Sequence, residues 1–154
     1  MYNRILVAVD TTPDENNPAL QRTQQFAQMA GATVYLLHVA RGHIVSWDIS
    51  GGSGLAVVSA EDDAENQDVR VVQQAVDHLS AAGIEAHGEL VSATEHDVAE
   101  VILQRAKELD VDLIVLGHEH HRGPGGFRSS VAERVIHQHP PYSILLARPP
   151  ATRH

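Results

Sequence analysis

The chain has 154 residues, of which 43% are hydrophobic and 20% are charged. A domain typically takes about 100–200 residues, so this length predicts one globular domain whose core needs neither a metal nor a disulfide. The sequence contains no cysteine, which excludes disulfides, thiolate metal sites and cysteine nucleophiles. It has no membrane-spanning apolar stretch, and its first apolar run is too short for a signal peptide, so we expect a cytoplasmic protein without membrane insertion.

Acidic residues dominate the charge of the protein. The sequence has 20 acidic and 11 basic residues and a formal net charge of −9. A negative field repels the phosphate backbone of nucleic acids, so we expect no nucleic-acid partner. The 11 histidines are the most unusual feature of the composition. Because imidazole titrates near neutral pH, they are expected to change the surface charge between about pH 5 and pH 7.

Short apolar runs that predict strands recur along the chain. Residues 5–9, 34–39 and 113–116 form largely apolar runs, which are typical of strands buried on both faces. Residues 84–91 alternate between apolar and polar, which predicts a strand with one wetter face. Residues 143–147 form the last predicted strand.

Four stretches with a period near 3.6 residues lie between the predicted strands and indicate helices. The first two are expected to end at Gly31 and Gly83, because glycine readily adopts the left-handed conformation that ends a helix. Pairs with capping-box spacing open the other two helices, namely Thr94 with Asp97 and Ser130 with Glu133. The fourth helix therefore begins at residue 129 or 130.

The alternation of strands and helices predicts an α/β fold, a single Rossmann-like or flavodoxin-like domain. We expect a five-stranded parallel sheet of order 3-2-1-4-5 with about four helices on its two faces. In this order the first and fourth strands are neighbours, and the helices that follow them leave on opposite faces. A crevice then opens at their carboxyl ends, where ligands bind in open α/β sheets.

The connection formed by residues 41–63 is longer than the others. It contains the sequence Gly-Gly-Ser-Gly at 51–54 and the only tryptophan, Trp47. Unstructured connections of this length are usually functional or disordered, so we expect a lid-like or disordered loop within the domain. The predicted domain covers residues 1–148, and residues 149–154 form a C-terminal tail.

Two segments follow the strands that flank the predicted crevice. Asp10 and Thr11 follow the first strand, and residues 117–130 form a glycine-rich loop that runs into a helix. Unpaired N–H groups and the helix dipole make such a helix start suitable for an anion, and Ser129 and Ser130 add hydroxyl donors. The pattern fits a phosphate, but a surface loop with an ordinary helix cap has the same pattern.

Four segments of the sequence form a distinctive ensemble in their order and spacing. They read Ile-Leu-Val-Ala-Val-Asp at 5–10, Leu-Leu-His-Val at 36–39, Asp-Leu-Ile-Val-Leu-Gly at 112–117, and Ser-Val-Ala-Glu-Arg-Val at 130–135. With these segments the chain resembles the universal stress protein family over nearly its whole length. The resemblance implies a Rossmann-like fold, commonly dimeric, in which nucleotide-binding members hold ATP at the ends of the first, second and fourth predicted strands.

The ATP-binding branch of that family carries the motif G-x2-G-x9-G-[ST], which this sequence matches only in part. Gly117 fits the first glycine and Ser130 the terminal hydroxyl. His120 and Ser129 stand in the places of the other two glycines, and the segment is one residue shorter. In an alternative alignment, Gly123 serves as the second glycine of a reshaped loop. A side chain where the backbone must approach phosphate closely would block the usual pose.

The resemblance implies a stress-response protein that binds ATP, AMP or another adenine nucleotide with Mg²⁺ and signals through its dimer or an unidentified protein partner. By this resemblance, Asp10 contacts the ribose or phosphate region and Val39 meets the adenine through its backbone. An alternative role for Asp10 is to hydrogen-bond the turn after its strand. The predicted nucleotide-binding residues are Asp10, Thr11, Val39, Gly117, His118, Gly123, Gly125, Gly126, Ser129 and Ser130.

Histidines in the glycine-rich loop provide a separate, weaker hypothesis. Imidazole and carboxylate are good ligands for zinc, copper or nickel, so the candidate metal ligands are His118, His120, His121 and Asp10. A polar loop with exposed histidines is the alternative, since no H-E-x-x-H spacing occurs. We expect His38, inside a predicted strand, to be a core or crevice histidine with its hydrogen bonds satisfied.

The sequence carries no signature of a fast enzyme. It lacks the G-x-x-x-x-G-K-[ST] phosphate loop and the G-x-S-x-G nucleophile turn, so we predict no catalytic residues and no rapid phosphoryl transfer. Slow hydrolysis of bound ATP remains open.

Two alternatives to nucleotide binding also remain open. In one, the protein is a nucleotide-free homodimeric interaction module in which residues 142–147 form an edge strand that pairs with its twin. In the other, the histidine loop senses metal or pH.

Overall fold

The computed structural model describes residues 2–9, 17–40, 47–50, 63–92, 98–117, 129–138 and 140–147. The strands are β1 (Arg4–Val9), β2 (Thr33–Ala40), β3 (Trp47–Ser50), β4 (Ala86–Ser92), β5 (Leu113–Gly117) and β6 (Ser143–Ala147). The helices are α1 (Pro18–Ala30), α2 (Asp63–Ala81), α3 (Val98–Glu108) and α4 (Ser129–His137). No helix within these ranges has both the length and the apolar character that a membrane crossing requires.

The strands form one sheet of order β3-β4-β2-β1-β5-β6. The five strands from β4 to β6 in this order are parallel, which confirms the predicted order 3-2-1-4-5. β3 is an additional edge strand, antiparallel to β4, and lies within the long connection that was expected to be a lid or loop. Residues 41–46 and 51–62 of that connection lie outside the described residues. A four-residue strand is too short to show a clear alternation of apolar and polar residues, so β3 could not be predicted from the sequence pattern.

Two apolar layers enclose the sheet. Ile5, Val7 and Val9 of β1 pack in the layer that includes residues of α1 and α2, whereas Leu6 and Ala8 pack in the layer that includes residues of α3 and α4. All five of these side chains are at most 2% exposed. The continuous apolar sequence of β1 therefore reflects a central strand covered on both faces.

The helix ends follow the expected local chemistry. Gly31 and Gly83 have φ angles of 67° and 84°, which confirms both predicted helix ends. α4 begins at Ser129 as expected, whereas the proposed cap of α3 at Thr94 and Asp97 lies outside the described residues. The cap of α1 was missed: the Asn17 side chain accepts hydrogen bonds from the N–H groups of residues 19 and 20. The Asn-Pro pair at 17–18 could have predicted this cap, because asparagine is a favoured N-cap residue and proline is a favoured first residue of a helix.

Asp112 ties the start of β5 to the start of β1. Its Oδ2 atom accepts hydrogen bonds from the backbone N–H groups of Asn3, at 2.7 Å, and Arg4, at 3.0 Å. Both bonds favour the ionised carboxylate and lower the pKa of Asp112 below its ordinary value. The bond from Asn3 has the larger effect on the pKa and the bond from Arg4 the second largest. The stabilisation is therefore present above about pH 4 and is lost as the pH falls through the lowered pKa.

Replacing Asp112 by alanine is expected to lower the free energy of unfolding by about 1 kcal/mol at pH 7, because two charge-assisted hydrogen bonds at an exposed site are lost. Urea denaturation of the wild type and of Asp112→Ala at pH 6 and pH 3 measures this effect. The difference between the two proteins should shrink at pH 3. An equal difference at both pH values would contradict the assigned cause.

Candidate functional site

Three strands end side by side at one edge of the sheet. β1 lies between β2 and β5. Val9, the last residue of β1, pairs with His38 of β2, so Val39 extends one residue beyond the end of β1. Ala8 pairs with Leu116 of β5, so the next residue, Gly117, lies beside Val9. Because neighbouring strands lie about 4.8 Å apart, the ends of β2 and β5 are about 10 Å apart across the end of β1. This is the edge at which the strand order predicts a crevice.

Two helices begin at the same edge. α1 connects β1 with β2, and α4 connects β5 with β6, so each helix starts where a strand ends and runs back across the sheet. The first turn of α1 lies against β5, because a Cβ atom built on Gly117 would stand 3.9 Å from the Cβ atom of Ala19. Helix starts carry partial positive charge on their N–H groups. The edge therefore favours a negatively charged group.

His38 joins the second strand to the end of the first. Its side chain is buried, and its Nδ1 atom lies 3.2 Å from the backbone oxygen of Val9. A carbonyl oxygen only accepts hydrogen bonds, so Nδ1 donates and carries the proton. The expectation of a satisfied core or crevice histidine is confirmed. The bond fixes the last described residue of β1, immediately before Asp10.

Four of the predicted nucleotide-binding residues lie in the described part of the chain. Val39 and Gly117 stand near the ends of β2 and β5, and Ser129 and Ser130 open α4. The structure therefore places all four at the same edge. The other predicted residues lie outside the described residues, both those for the nucleotide and those for the metal: Asp10, Thr11, His118, His120, His121, Gly123, Gly125 and Gly126. Within the described ranges, no group of three or more His, Asp or Glu side chains is arranged to hold a metal ion.

Comparison with known proteins shows the family to which this chain belongs. The model of the universal stress protein family matches residues 1–141. The chain belongs to this family. A curated relative, universal stress protein A homolog 2 of Coxiella burnetii, is 24% identical over 142 residues, which span 88% of each chain. The resemblance seen in the sequence is thereby confirmed.

Solved universal stress proteins share the fold of the chain. The UspA protein of Lactobacillus plantarum has a TM-score of 0.65 and 23% identity, with 96% of this chain and 98% of that chain covered. A universal stress protein of Archaeoglobus fulgidus, solved in complex with dAMP, has a TM-score of 0.59 and 24% identity, with 95% of this chain and 98% of that chain covered. At this level of identity the comparison establishes the common α/β architecture.

Proposed function

We propose that this universal stress protein binds an adenine nucleotide, ATP or AMP, in the crevice at the ends of β1, β2 and β5. One observation carries the proposal: the end of β5 and the start of α4, where Gly117, Ser129 and Ser130 lie, share this edge with the end of β2. The complex of the Archaeoglobus fulgidus protein with dAMP supports the choice of an adenine nucleotide. The bound state would alter dimer or partner interactions in a cytoplasmic stress response.

The phosphates are assigned to α4 rather than to α1. In α1, the N–H groups of Ala19 and Leu20 already donate to the Asn17 side chain, so they are not available to an anion. The first turn of α4, with the hydroxyl groups of Ser129 and Ser130, would hold the phosphate groups. The loop positions Gly123, Gly125 and Gly126 would complete this part of the site together with His118.

The base and the ribose are assigned to the other side of the crevice. The backbone of Val39 would meet the adenine, while Asp10 and Thr11, directly after β1, would hold the ribose or a phosphate-bound Mg²⁺ ion. A carboxylate is a suitable ligand for Mg²⁺, which neutralises phosphate charge when bound.

Gly117 has a structural reason to face a ligand. Its φ angle is not in the left-handed region, and a Cβ atom would stand at an ordinary contact distance of 3.9 Å from Ala19. Neither the backbone conformation nor the packing of α1 therefore requires glycine here. Close approach of a ligand to the backbone would account for a residue without a side chain at this position.

Calorimetric titration of the purified protein tests the proposal. The protein is first unfolded and refolded to remove bound nucleotide, and the released fraction is analysed by mass spectrometry. Titration with ATP or AMP, each with and without Mg²⁺, should then give saturable heat. The absence of both nucleotide release and heat would overturn the proposal and leave the nucleotide-free interaction module.

His38 is expected to support this site through the end of β1. Replacing His38 by leucine leaves the Val9 carbonyl without this donor in a buried position, which should lower the free energy of unfolding by about 1–3 kcal/mol. Nucleotide affinity should also fall, because Asp10 follows Val9 directly. His38→Asn, which keeps an N–H donor near the position of Nδ1, should recover part of both losses. Equal affinities for the leucine variant and the wild type would exclude the link to the site.

We further propose that the protein forms a homodimer through residues 142–147. β6 ends the sheet, so its outer backbone edge has no neighbouring strand among the described ones, and Ile144, Leu145 and Leu146 are half-buried. An open edge favours antiparallel pairing with a second copy.

Sedimentation at micromolar concentration should give the mass of two chains for the wild type and of one chain for Leu145→Lys, since like charges would meet across the pair. Met29→Lys, at an exposed position of α1, is the matched control and should remain dimeric. A monomeric wild type would contradict the dimer.

A further inference from the structure

The pairing of β3 with β4 sets two acidic residues opposite each other. In the antiparallel register, Asp48 of β3 stands opposite Glu89 of β4. Residues in directly opposite positions of an antiparallel pair belong to the same face of the sheet, with Cβ atoms about 4.5–5.5 Å apart. Like charges in such positions weaken the pairing of the strands. The pair Asp48–Glu89 therefore works against the attachment of β3, and a positive charge beside it would offset this effect.

Arg105, in the last turn of α3, brings a positive charge to this face. Its Nε atom donates a hydrogen bond to Oε2 of Glu89 at 2.9 Å, and its Nη2 atom donates to the same oxygen. The Glu89 side chain is only 12% exposed, so salt and water screen this ion pair less than a surface pair. Nη1 of Arg105 donates to Glu108, which is exposed. Arg105 thus joins α3 to β4 at the position that Asp48 opposes.

His87 is the only basic residue of β3 and β4. Its ring stacks on that of Tyr35, with centroids 5.4 Å apart, and its Nε2 atom lies 3.5 Å from the Glu85 carboxylate. Because imidazole is mostly neutral at pH 8, measurements at that pH isolate the charge of Arg105.

The other face of β3 carries apolar residues. Trp47 stands opposite Leu90, and Ile49 stands opposite Gly88. Both β4 residues are buried and share their face with Ala86, which packs in the apolar layer of α1 and α2. Apolar residues at these positions favour the attachment of β3, whereas the acidic pair on the opposite face disfavours it. The balance of charge on that face therefore influences whether β3 stays paired.

We propose that Arg105 is a positioning residue for β3: its charge offsets the opposition of Asp48 and Glu89 and keeps β3 paired with β4. Loss of this charge releases β3, while the five parallel strands keep their pairing because β3 is an edge strand. None of the three residues is among those proposed to bind the nucleotide. The proposal therefore does not rest on nucleotide binding.

The only tryptophan of the chain, Trp47, lies in β3 and provides the probe for this proposal. At pH 8, quenching of its fluorescence by the neutral quencher acrylamide measures its access to solvent, and hydrogen exchange measures the protection of the amides of residues 47–50. For Arg105→Gln, quenching should increase, and the protected amides should exchange about two- to fivefold faster. Lys107→Gln, an equal charge change at an exposed position of the same turn, should alter neither. Equal effects of the two changes would overturn the proposal.

Asp48→Asn distinguishes charge opposition from a general loosening of α3. In the Arg105→Gln background it should return the exchange of residues 47–50 close to the wild-type rate, because no charge then stands opposite Glu89. Amides of residues 5–8 in β1 report global unfolding, so the comparison uses the ratio of the two rates. Absence of this recovery would overturn the proposal. If Arg105→Gln does not fold, Asp48→Lys in the otherwise unchanged protein sets a cation opposite Glu89 and should slow the exchange of residues 47–50; unchanged or faster exchange would overturn the proposal.

Discussion

Replacing Asp10 or Ser130 by alanine is expected to weaken nucleotide binding by at least about tenfold. Each change removes a polar group that we place against the ribose, the metal ion or a phosphate, and hydrogen bonds to charged groups contribute about 1.5–3 kcal/mol. The two residues come from different parts of the sequence, one after β1 and one in the first turn of α4. Titration calorimetry with ATP and Mg²⁺ measures both affinities against the wild type.

A serine outside the crevice provides the matched control for this experiment. Ser80 is exposed near the end of α2, so Ser80→Ala makes the same change as Ser130→Ala away from the site. Its nucleotide affinity should equal that of the wild type, and thermal unfolding of all three variants checks that they are folded. Unchanged affinity in both Asp10→Ala and Ser130→Ala would refute the assignment of the site.

Replacing Ile102 by alanine is expected to lower the free energy of unfolding by about 2–5 kcal/mol, since a fully buried side chain is truncated and leaves a cavity. Ile102 lies in the middle of α3, is 0% exposed and belongs to the apolar layer between the sheet and the helices α3 and α4. Loss of its packing should loosen α3 on the sheet. Urea denaturation followed by circular dichroism measures the change.

Met29 offers a control for the same kind of truncation at the surface. It is 85% exposed on α1, so Met29→Ala should change the free energy of unfolding by less than about 0.5 kcal/mol. If Ile102→Ala lowered the free energy of unfolding no more than Met29→Ala does, α3 would not pack on the sheet with Ile102 in the apolar layer.

The architecture was predictable because it depends on patterns within short stretches of sequence. The continuous apolar sequence of β1 indicates a central strand that is buried on both faces. The alternation of apolar and polar residues in β4 indicates a strand with one more exposed face, because successive side chains of a strand point to opposite faces. Gly31 and Gly83 end helices by a local conformational preference. Right-handed crossovers then restrict the strand order, and the order places the crevice at the ends of β1 and β5.

The location of the candidate site followed from the sequence, but the contacts that shape it did not. The strand order and the family resemblance together point to Val39, Gly117 and Ser130, which the structure places at one edge of the sheet. The hydrogen bond between His38 and Val9 joins residues 29 positions apart. No periodicity or cap links such residues, because their proximity exists only after β1 and β2 have paired.

The sequence by itself determined the number and order of the parallel strands, their alternation with helices, the helix ends and the edge where a ligand would bind. Only the tertiary structure decided the antiparallel pairing of β3 with β4, the bond from His38 to Val9, and the ion pair between Glu89 of β4 and Arg105 of α3. The physical reason is that periodicity and capping act over a few residues, whereas these features require partners from separate elements. Strand pairing and the packing of α3 on the sheet bring those partners together.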